Sequence, residues 1–120
     1  MTVIPEEKEY TFYQGAEWTK TYTFNNKDWT GYAARMQLRT SYADKAATAD
    51  VSLTEGDGLT FTVVDTSTAT LAISIGADVT EDLSNDTYRF DIEFFVSGDT
   101  TKVDRVIYGT FTNDKEVTRD

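Results

Sequence analysis

The side chains available for chemistry in this chain are carboxylates, hydroxyls and lysines, because histidine and cysteine are both absent. Neither a thiolate nucleophile nor a zinc site of the usual nitrogen and sulfur ligands can form without them. A serine–lysine pair would have to use Lys20, Lys45 or Lys102 as its base, and the spacing of these lysines gives no support for such a pair. We therefore expect no hydrolase.

A pair of carboxylates is the arrangement that a glycosidase would need. Asp91 and Glu93 lie two residues apart, so they share one face of a predicted strand. The opposite face of that strand carries Phe90, Ile92 and Phe94. This pattern is typical of a strand with one face in solvent, and a chain of 120 residues leaves little room for a catalytic cleft. The sequence predicts no enzyme, no catalytic residue, no cofactor and no small-molecule substrate.

Two acidic stretches could hold a cation. Residues 55–58 supply two carboxylates but lack the remaining ligands of a calcium loop. Their Asp-Gly pair instead predicts a hairpin turn between residues 51–53 and 59–63. A second acidic stretch leaves a surface cation open, although we predict no metal site; its members are Asp78, Glu81, Asp82 and Asp86.

The charge of the chain limits its partners. Its 11 basic and 21 acidic side chains give a formal net charge of −10. A field of this sign repels nucleic-acid phosphates and anionic lipid surfaces, so we expect neither nucleic acid nor membrane as a partner. No apolar run approaches the roughly 18 residues of a membrane-spanning helix, and residues 1–8 do not read as a secretory signal.

Aromatic side chains are candidates for a sugar-stacking platform, namely Trp18, Trp29, Tyr32 and Tyr42. Trp18 is in register with Tyr22 and Phe24, which favours burial in the core. Trp29 precedes Thr30 in a predicted turn, where it would either cover one end of the fold or bind a glycan.

Two arginines are candidates for an interface. Arg35 and Arg39 lie on the face of their predicted strand that is opposite to Met36 and Leu38. They could pair with the acidic excess of the same sheet, or they could anchor a protein interface, where arginine is enriched. The sequence leaves both interpretations open.

Period-two alternation of apolar and polar residues predicts half-buried β-strands along most of the chain. It is found in segments 18–24, 32–39, 59–63, 71–75, 88–96 and 106–111. Residues 77–83 predict a single helical turn, whereas residues 42–49 favour a loop. About seven to eight short strands of this kind predict an all-β, immunoglobulin-like antiparallel β-sandwich that lacks the disulfide of antibody domains.

The ends of the chain extend beyond this predicted domain. Residues 1–9 read as an N-terminal extended arm, residues 10–113 as the single sandwich domain, and residues 114–120 as a C-terminal tail. Such arms can add a strand to a neighbouring molecule. Together with the side chains above, they give the predicted interface residues, which are Val3, Ile4, Pro5, Trp29, Arg35, Arg39, Val117 and Arg119.

The order of short motifs resembles a family of small structural proteins of tailed bacteriophages and prophages. Members carry a Gly-x-x-Trp strand, a Leu-Thr-Gly-Tyr-x-Ala-Arg-Met-Gln-Ile-Arg strand, a Tyr-x-Tyr-Asp-Leu-Glu strand and a terminal Val-Thr-Arg. The corresponding segments here are residues 15–18, 29–39, 88–93 and 117–119. Trp29 replaces the usual leucine, Leu38 an isoleucine and Phe90 a tyrosine. The chain also resembles the immunoglobulin-like N-terminal domain of phage baseplate upper proteins.

This resemblance implies a virion protein, made in the host cytoplasm, that has no enzymatic activity and contacts other virion proteins in a multi-copy symmetric assembly. The tail, baseplate or fibre-attachment region is the first expectation for its position. A capsid decoration protein is one alternative. A carbohydrate-binding module for host attachment is another, and in that case replacement of Trp29 by alanine would abolish binding.

Overall fold

The computed structural model describes residues 5–25, 27–40 and 50–115, most of which lie in β-strands. These residues form eight strands and one short helix. The elements are β1 (Glu6–Tyr13), β2 (Trp18–Asn25), β3 (Ala33–Arg39), β4 (Val51–Glu55), β5 (Gly58–Asp65), β6 (Thr68–Ile75), α1 (Ala77–Glu81), β7 (Thr87–Val96) and β8 (Asp99–Asp114). The predicted all-β class is therefore confirmed, as is the helical turn after β6.

All eight strands belong to one sheet, in the order β1-β8-β7-β3-β4-β5-β6-β2. The sheet curls until it is nearly barrel-shaped. Phe94 of β7 lies within 4.9 Å of Phe24 of β2 and 4.6 Å of Phe61 of β5, measured between ring centroids. These contacts bring strands β5, β6 and β2 (the three-strand half) against strands β1, β8, β7, β3 and β4 (the five-strand half), with the core between them.

The core is built from the alternate residues that the sequence pattern marks as apolar. In β3, β6 and β7 every second side chain is buried, because successive residues of a strand point to opposite faces. Its largest fully buried members are aromatic or long aliphatic; they are Tyr88, Phe12, Phe90, Phe94, Phe111, Met36, Leu38, Leu59, Leu71, Ile75 and Ile92. Rings are large, so few of them fill the interior of a domain this small.

The predicted hairpin between β4 and β5 is wrong. The two strands pair over only two positions and run parallel there, with Thr54 opposite Gly58 and Glu55 opposite Leu59. Gly56 and Gly58 have φ values of 83° and 95°, which favour glycine. The chain therefore makes a tight loop and passes from the five-strand half to the three-strand half instead of reversing beside β4.

The N-terminal boundary of the domain also differs from the sequence expectation. Residues 6–9, assigned above to an extended arm, belong to β1. That strand pairs in parallel with β8, from Glu6 opposite Ile107 to Tyr13 opposite Asp114. Pro5 directly precedes it. The predicted interface residues Val3, Ile4, Val117 and Arg119 lie outside the described residues.

An irregularity in the pairing of β7 and β8 places two consecutive apolar side chains in the core. Ile92 pairs with Ile107 and Glu93 with Arg105, so Val106 is an extra residue on β8. Val106 and Ile107 are both buried. A bulge of this kind explains why strict alternation fails in the last predicted strand.

The helix α1 is hydrogen-bonded to the turn between β1 and β2. Thr80 is buried; its Oγ1 accepts a hydrogen bond from the backbone N–H of Gly15 and donates one to the carbonyl of Ala16, at 3.1 and 2.8 Å. Gln14 Nε2 donates to the carbonyl of Leu83 at 2.9 Å. No helix in the described ranges is long and apolar enough to cross a membrane.

Candidate protein-binding face

A group of side chains of β3, β7 and β8 that point away from the core forms a charged surface, which we name the arginine face. Strand register aligns them, because residues paired across neighbouring strands point to the same side. The members of the arginine face are Arg35, Gln37, Arg39, Arg89, Asp91, Glu93, Phe95, Val103, Arg105, Tyr108 and Thr110.

This face concentrates the arginines of an acidic chain. Four of the five arginines of the sequence lie on it, together with Asp91 and Glu93. Acids also border it, because Glu7 and Glu9 of β1 lie in register with Tyr108 and Thr110.

Arg35 and Arg39 were predicted from the sequence as interface residues, whereas Arg89 and Arg105 were not. Alternation could have indicated Arg89, because Arg89 is in phase with Asp91 and Glu93 and therefore lies on the same outward face of its strand.

Arg35 makes the pair within its own sheet that one of the two interpretations predicts. Its Nε lies 2.7 Å from Glu93 Oε1, so it pairs with an acid of the same sheet. Its guanidinium also stacks over the Phe95 ring, at 4.4 Å from the centroid. The Arg35 side chain is nevertheless 42% exposed. An exposed pair contributes little to stability, but the two contacts orient a cationic group that is still open to a partner.

Arg39 and Arg89 lie directly opposite each other on β3 and β7. Arg39 Nη2 donates to Gln37 Oε1 at 3.2 Å, and Arg89 Nη1 donates to Thr110 Oγ1 at 2.8 Å. Like charges at directly opposed positions destabilise a sheet. Both arginines line a depression of about 110 Å³, together with Gln37, Phe90 and Asp91.

The opposite end of the face combines an arginine with apolar groups. Arg105 stacks over the Tyr108 ring at 4.5 Å from the centroid, and Arg105 is exposed. Val103, paired with Phe95, is 39% exposed, which is unusual for a large apolar side chain of this molecule. Arginine and aromatic residues are the types enriched where proteins bind one another.

Asp91 occupies the middle of the face. Burial raises the pKa of its carboxyl above the ordinary range, and the neighbouring charge of Glu93 acts in the same direction. Arg105, Arg35 and Arg39 oppose this rise in pKa, although burial outweighs them. The cause is the packing of a carboxylate among the side chains of a sheet face.

Trp29 is a core residue, so its prediction as an interface residue is wrong. It is 2% exposed and packs edge-on against Tyr32 and Phe94, with centroid distances of 5.1 and 4.7 Å. The Lys27 ammonium lies 4.3 Å above the Trp29 ring, and Lys27 also pairs with Asp104 at 2.8 Å. The indole therefore has almost no surface to offer to a sugar or to a partner protein.

A second charged surface lies where α1 meets the starts of β4 and β7, and we name it the acidic end. It comprises Asp50, Asp78, Glu81, Asp82 and Asp86. Three of these residues (Asp50, Asp78 and Asp82) line a depression of about 300 Å³. Within the part of the chain that the structure describes, no group of three or more acidic residues is placed to hold a metal ion.

No protein-family model matches the chain, and no curated protein matches it significantly.

Proposed function

We propose that this chain is a bacteriophage virion protein that works by binding other proteins through the arginine face rather than by catalysis. The observation that carries the proposal is the concentration of four arginines, with exposed Val103 and the partly exposed rings of Phe95 and Tyr108, on one sheet face of an acidic chain. Arginine guanidiniums can fix the position of a complementary surface, and the rings stacked beside them supply apolar contact.

An immunoglobulin-like fold is part of this proposal, and the strand order supports it. Strands β2, β6 and β5 correspond to strands B, E and D of that fold, and β3, β4, β7 and β8 to strands C, C′, F and G. Tyr88, near the start of β7, accepts a hydrogen bond from the backbone N–H of Asn85 at 3.0 Å. A buried tyrosine in this place, bonded to the backbone just before it, is typical of the tyrosine corner of such domains.

The assignment to a virion rests on the motifs that resemble phage structural proteins. The tail, baseplate or fibre-attachment region remains the first expectation for its position, with capsid decoration as the alternative. Both positions require repeated copies in a symmetric assembly, which a small domain with one binding face suits.

Immunogold labelling of purified particles with an antibody against the full chain tests this proposal. We expect label at one repeated position, and a tail or a capsid position decides between the two alternatives. Absence of the chain from particles, when it is abundant in the producing cells, would overturn the assignment.

The role of the arginine face is tested in the same particles by site-specific photo-crosslinking. A photoreactive residue in place of Val103, on the arginine face, should crosslink to a neighbouring protein. The same residue in place of Thr62, an exposed position on the three-strand half, is the matched control. Crosslinks from Thr62 alone would show that a different surface makes the contact.

A further inference from the structure

We propose that strand β2 of one copy pairs antiparallel with β2 of a second copy, about a twofold axis at Thr21, so that the chain dimerises through an open sheet edge. This inference does not rest on the proposed function. The arginine face lies on the five-strand half and takes no part in the contact, so it stays free in both copies of the dimer.

The outer edge of β2 is open. β2 is the last strand of the sheet, and among the described residues it pairs only with β6, in unbroken register from Trp18 to Asn25. The backbone N–H and C=O groups of an edge strand that face away from its neighbour have no partner in the sheet. Between β1 and β2 only side chains meet, since the hydroxyls of Tyr10 and Tyr22 bond to each other.

The opposite edge of the sheet is protected, whereas that of β2 is not. β1 begins directly after Pro5, and its first four residues are all charged. Proline and charged side chains are devices by which natural sheets prevent their edges from pairing. β2 has eight residues, no proline and no bulge, and Lys20 is its one charged residue. Of the two edges, β2 is therefore the one to which a further strand can add.

The sequence of β2 complements itself, which identifies a second copy as the partner. A twofold axis perpendicular to the sheet keeps outward side chains outward, so only positions in the same phase can lie opposite each other. With the axis at Thr21, Thr19 lies opposite Thr23. Trp18 lies opposite Phe24. Threonine pairs and aromatic pairs are among those that stabilise neighbouring antiparallel strands.

Lys20 selects this register over its neighbour. An axis at Lys20 would place two ammonium groups opposite each other, and like charges in that position are destabilising. An axis at Thr21 instead places Lys20 opposite Tyr22 of the partner subunit. The Lys20 ammonium already lies 5.7 Å from the centroid of the Tyr22 ring in its own chain. A cation beside aromatic rings is attracted to them, so the one charge of the strand is accommodated.

The contact also covers apolar surface. Trp18, Tyr22 and Phe24 lie on the inner side of β2, and all three are only partly buried in one copy. Pairing extends the three-strand half into a sheet of six strands, which places the partner's rings beside these. Apolar burial then adds to the backbone hydrogen bonds of the new strand pair.

Salt distinguishes this contact from one that depends on charge. Each copy has a net charge of −10, so two copies repel each other as wholes. The Debye length falls from about 8 Å at about 0.15 M salt to about 3 Å at about 1 M, which screens that repulsion. Backbone hydrogen bonds and packed rings are not screened in this way. We therefore expect the dimer to be at least as stable at the higher salt concentration.

Sedimentation velocity of the full chain over a concentration series tests the proposal. We expect the wild type to form a dimer and nothing larger. Thr21→Lys sets two ammonium groups opposite each other at the axis and should weaken dimerisation by about tenfold or more. Thr62→Lys is the matched control, at an exposed position of β5, and should dimerise as the wild type does. Urea titration of each variant verifies that the fold is retained.

A mixture of two charged variants provides a gain of association. Thr21→Glu alone should also fail to dimerise, because two carboxylates then meet at the axis. An equimolar mixture of Thr21→Lys and Thr21→Glu brings an ammonium group opposite a carboxylate, so it should restore a 1:1 dimer. A mixture that stays monomeric would contradict the pairing.

Disulfide cross-linking tests the register, and the absence of cysteine from the chain makes the readout specific. Thr21→Cys places two thiols at directly opposed positions, where Cα atoms are about 4.5–5.5 Å apart, within the range of a disulfide. With diamide as the oxidant, this variant should form a covalent dimer. Thr23→Cys should not, because its two thiols are four residues apart along the strands, at roughly 13 Å.

The inference is overturned by a wild type that stays monomeric throughout, by a dimer that survives Thr21→Lys, or by loss of dimerisation in Thr62→Lys. Equal cross-linking of Thr21→Cys and Thr23→Cys would exclude the axis at Thr21. A monomeric chain that is nevertheless found in particles overturns this inference alone and leaves the proposed function intact, so the two failures can be distinguished.

Discussion

At the scale of the residue, Tyr88 shows how one polar atom is accommodated in an apolar core. Its side chain is 1% exposed, and its hydroxyl accepts the backbone N–H of Asn85. Replacement by phenylalanine keeps the ring but leaves that N–H without its acceptor. We expect Tyr88→Phe to lower the free energy of unfolding by about 1–2 kcal/mol in urea titrations. Tyr13→Phe, at a position 61% exposed, should change it by less than about 0.5 kcal/mol.

Asp91 gives a prediction about pH. Its raised pKa means that the folded state binds the proton more tightly than the unfolded state, so this group makes the protein less stable as pH rises through the interval between the two pKa values. We expect Asp91→Asn to unfold at a higher urea concentration than the wild type at pH 7. The difference should shrink below pH about 4, where the carboxyl is protonated in both states. A constant difference from pH 3 to pH 7 would contradict this explanation.

The side of the sheet on which a residue lies could be predicted from the sequence only when the residue belongs to a strand that the sequence also predicts. Alternation placed Arg35 and Arg39 on an outward face correctly, because both lie inside a regular strand. Trp29 lies in a turn, where no periodic pattern distinguishes buried from exposed positions. It is buried because it packs against Tyr32, just before β3, and Phe94 of β7. Distant contacts of this kind leave no local pattern.

At the scale of the element, the pairing of β1 with β8 depends on a glycine. Gly109 lies opposite Lys8, and a Cβ at this position would overlap the carbonyl oxygen of Lys8. We expect Gly109→Ala to push β1 away from β8, to destabilise the protein by about 2–4 kcal/mol and to expose the amides of β1 to hydrogen exchange.

Gly98→Ala is the matched control for that substitution. Gly98 has a φ of 81°, but a Cβ there would meet no atom within 4 Å. Gly98→Ala should lower the free energy of unfolding by about 1 kcal/mol through backbone strain, and it should leave the protection of the β1 amides from hydrogen exchange unchanged. Equal loss of β1 protection in both variants would exclude the close approach of Lys8 as the cause.

Elements with clear alternation were predicted well, and those with charged or glycine-rich sequences were not. The start of β1 reads Glu6-Glu7-Lys8-Glu9, a run of charges that resembles a solvated arm. It is a strand because it lies at the sheet edge, where charged side chains stay in water. The Asp57-Gly58 pair is typical of hairpins, but two glycines with positive φ allow a loop of a different course.

At the scale of the whole molecule, Phe94 joins the two halves of the sheet. Its ring is fully buried and contacts the rings of Phe24, Trp29 and Phe61. We expect Phe94→Ala to cost about 3–5 kcal/mol, since it leaves a cavity at the meeting point of four rings. The neighbouring Phe95→Ala, on the outer face, should cost roughly 1 kcal/mol. Similar losses for both would contradict the central role of Phe94.

The order of strands could not have been read from the sequence. Alternation says which face of a strand is apolar, but every apolar face fits several neighbours equally well. The pairing of β1 with β8 joins segments about 100 residues apart. Membership of the arginine face depends on that order, because Arg35, Arg89 and Arg105 come from three strands that the sequence alone does not place side by side.

The parallel pairing of β1 and β8 also has a mechanical consequence. Glu6 and Asp114 lie at opposite ends of this strand pair, about 23 Å apart along the strands, since seven steps of roughly 3.3 Å separate the first and last paired positions. A force that pulls these two ends apart acts along both strands and loads their hydrogen bonds in shear, all at once. An antiparallel hairpin would instead open one bond at a time, from its free end. We therefore expect the β1–β8 pair to resist tension applied between these two ends more strongly than an antiparallel hairpin of the same length would.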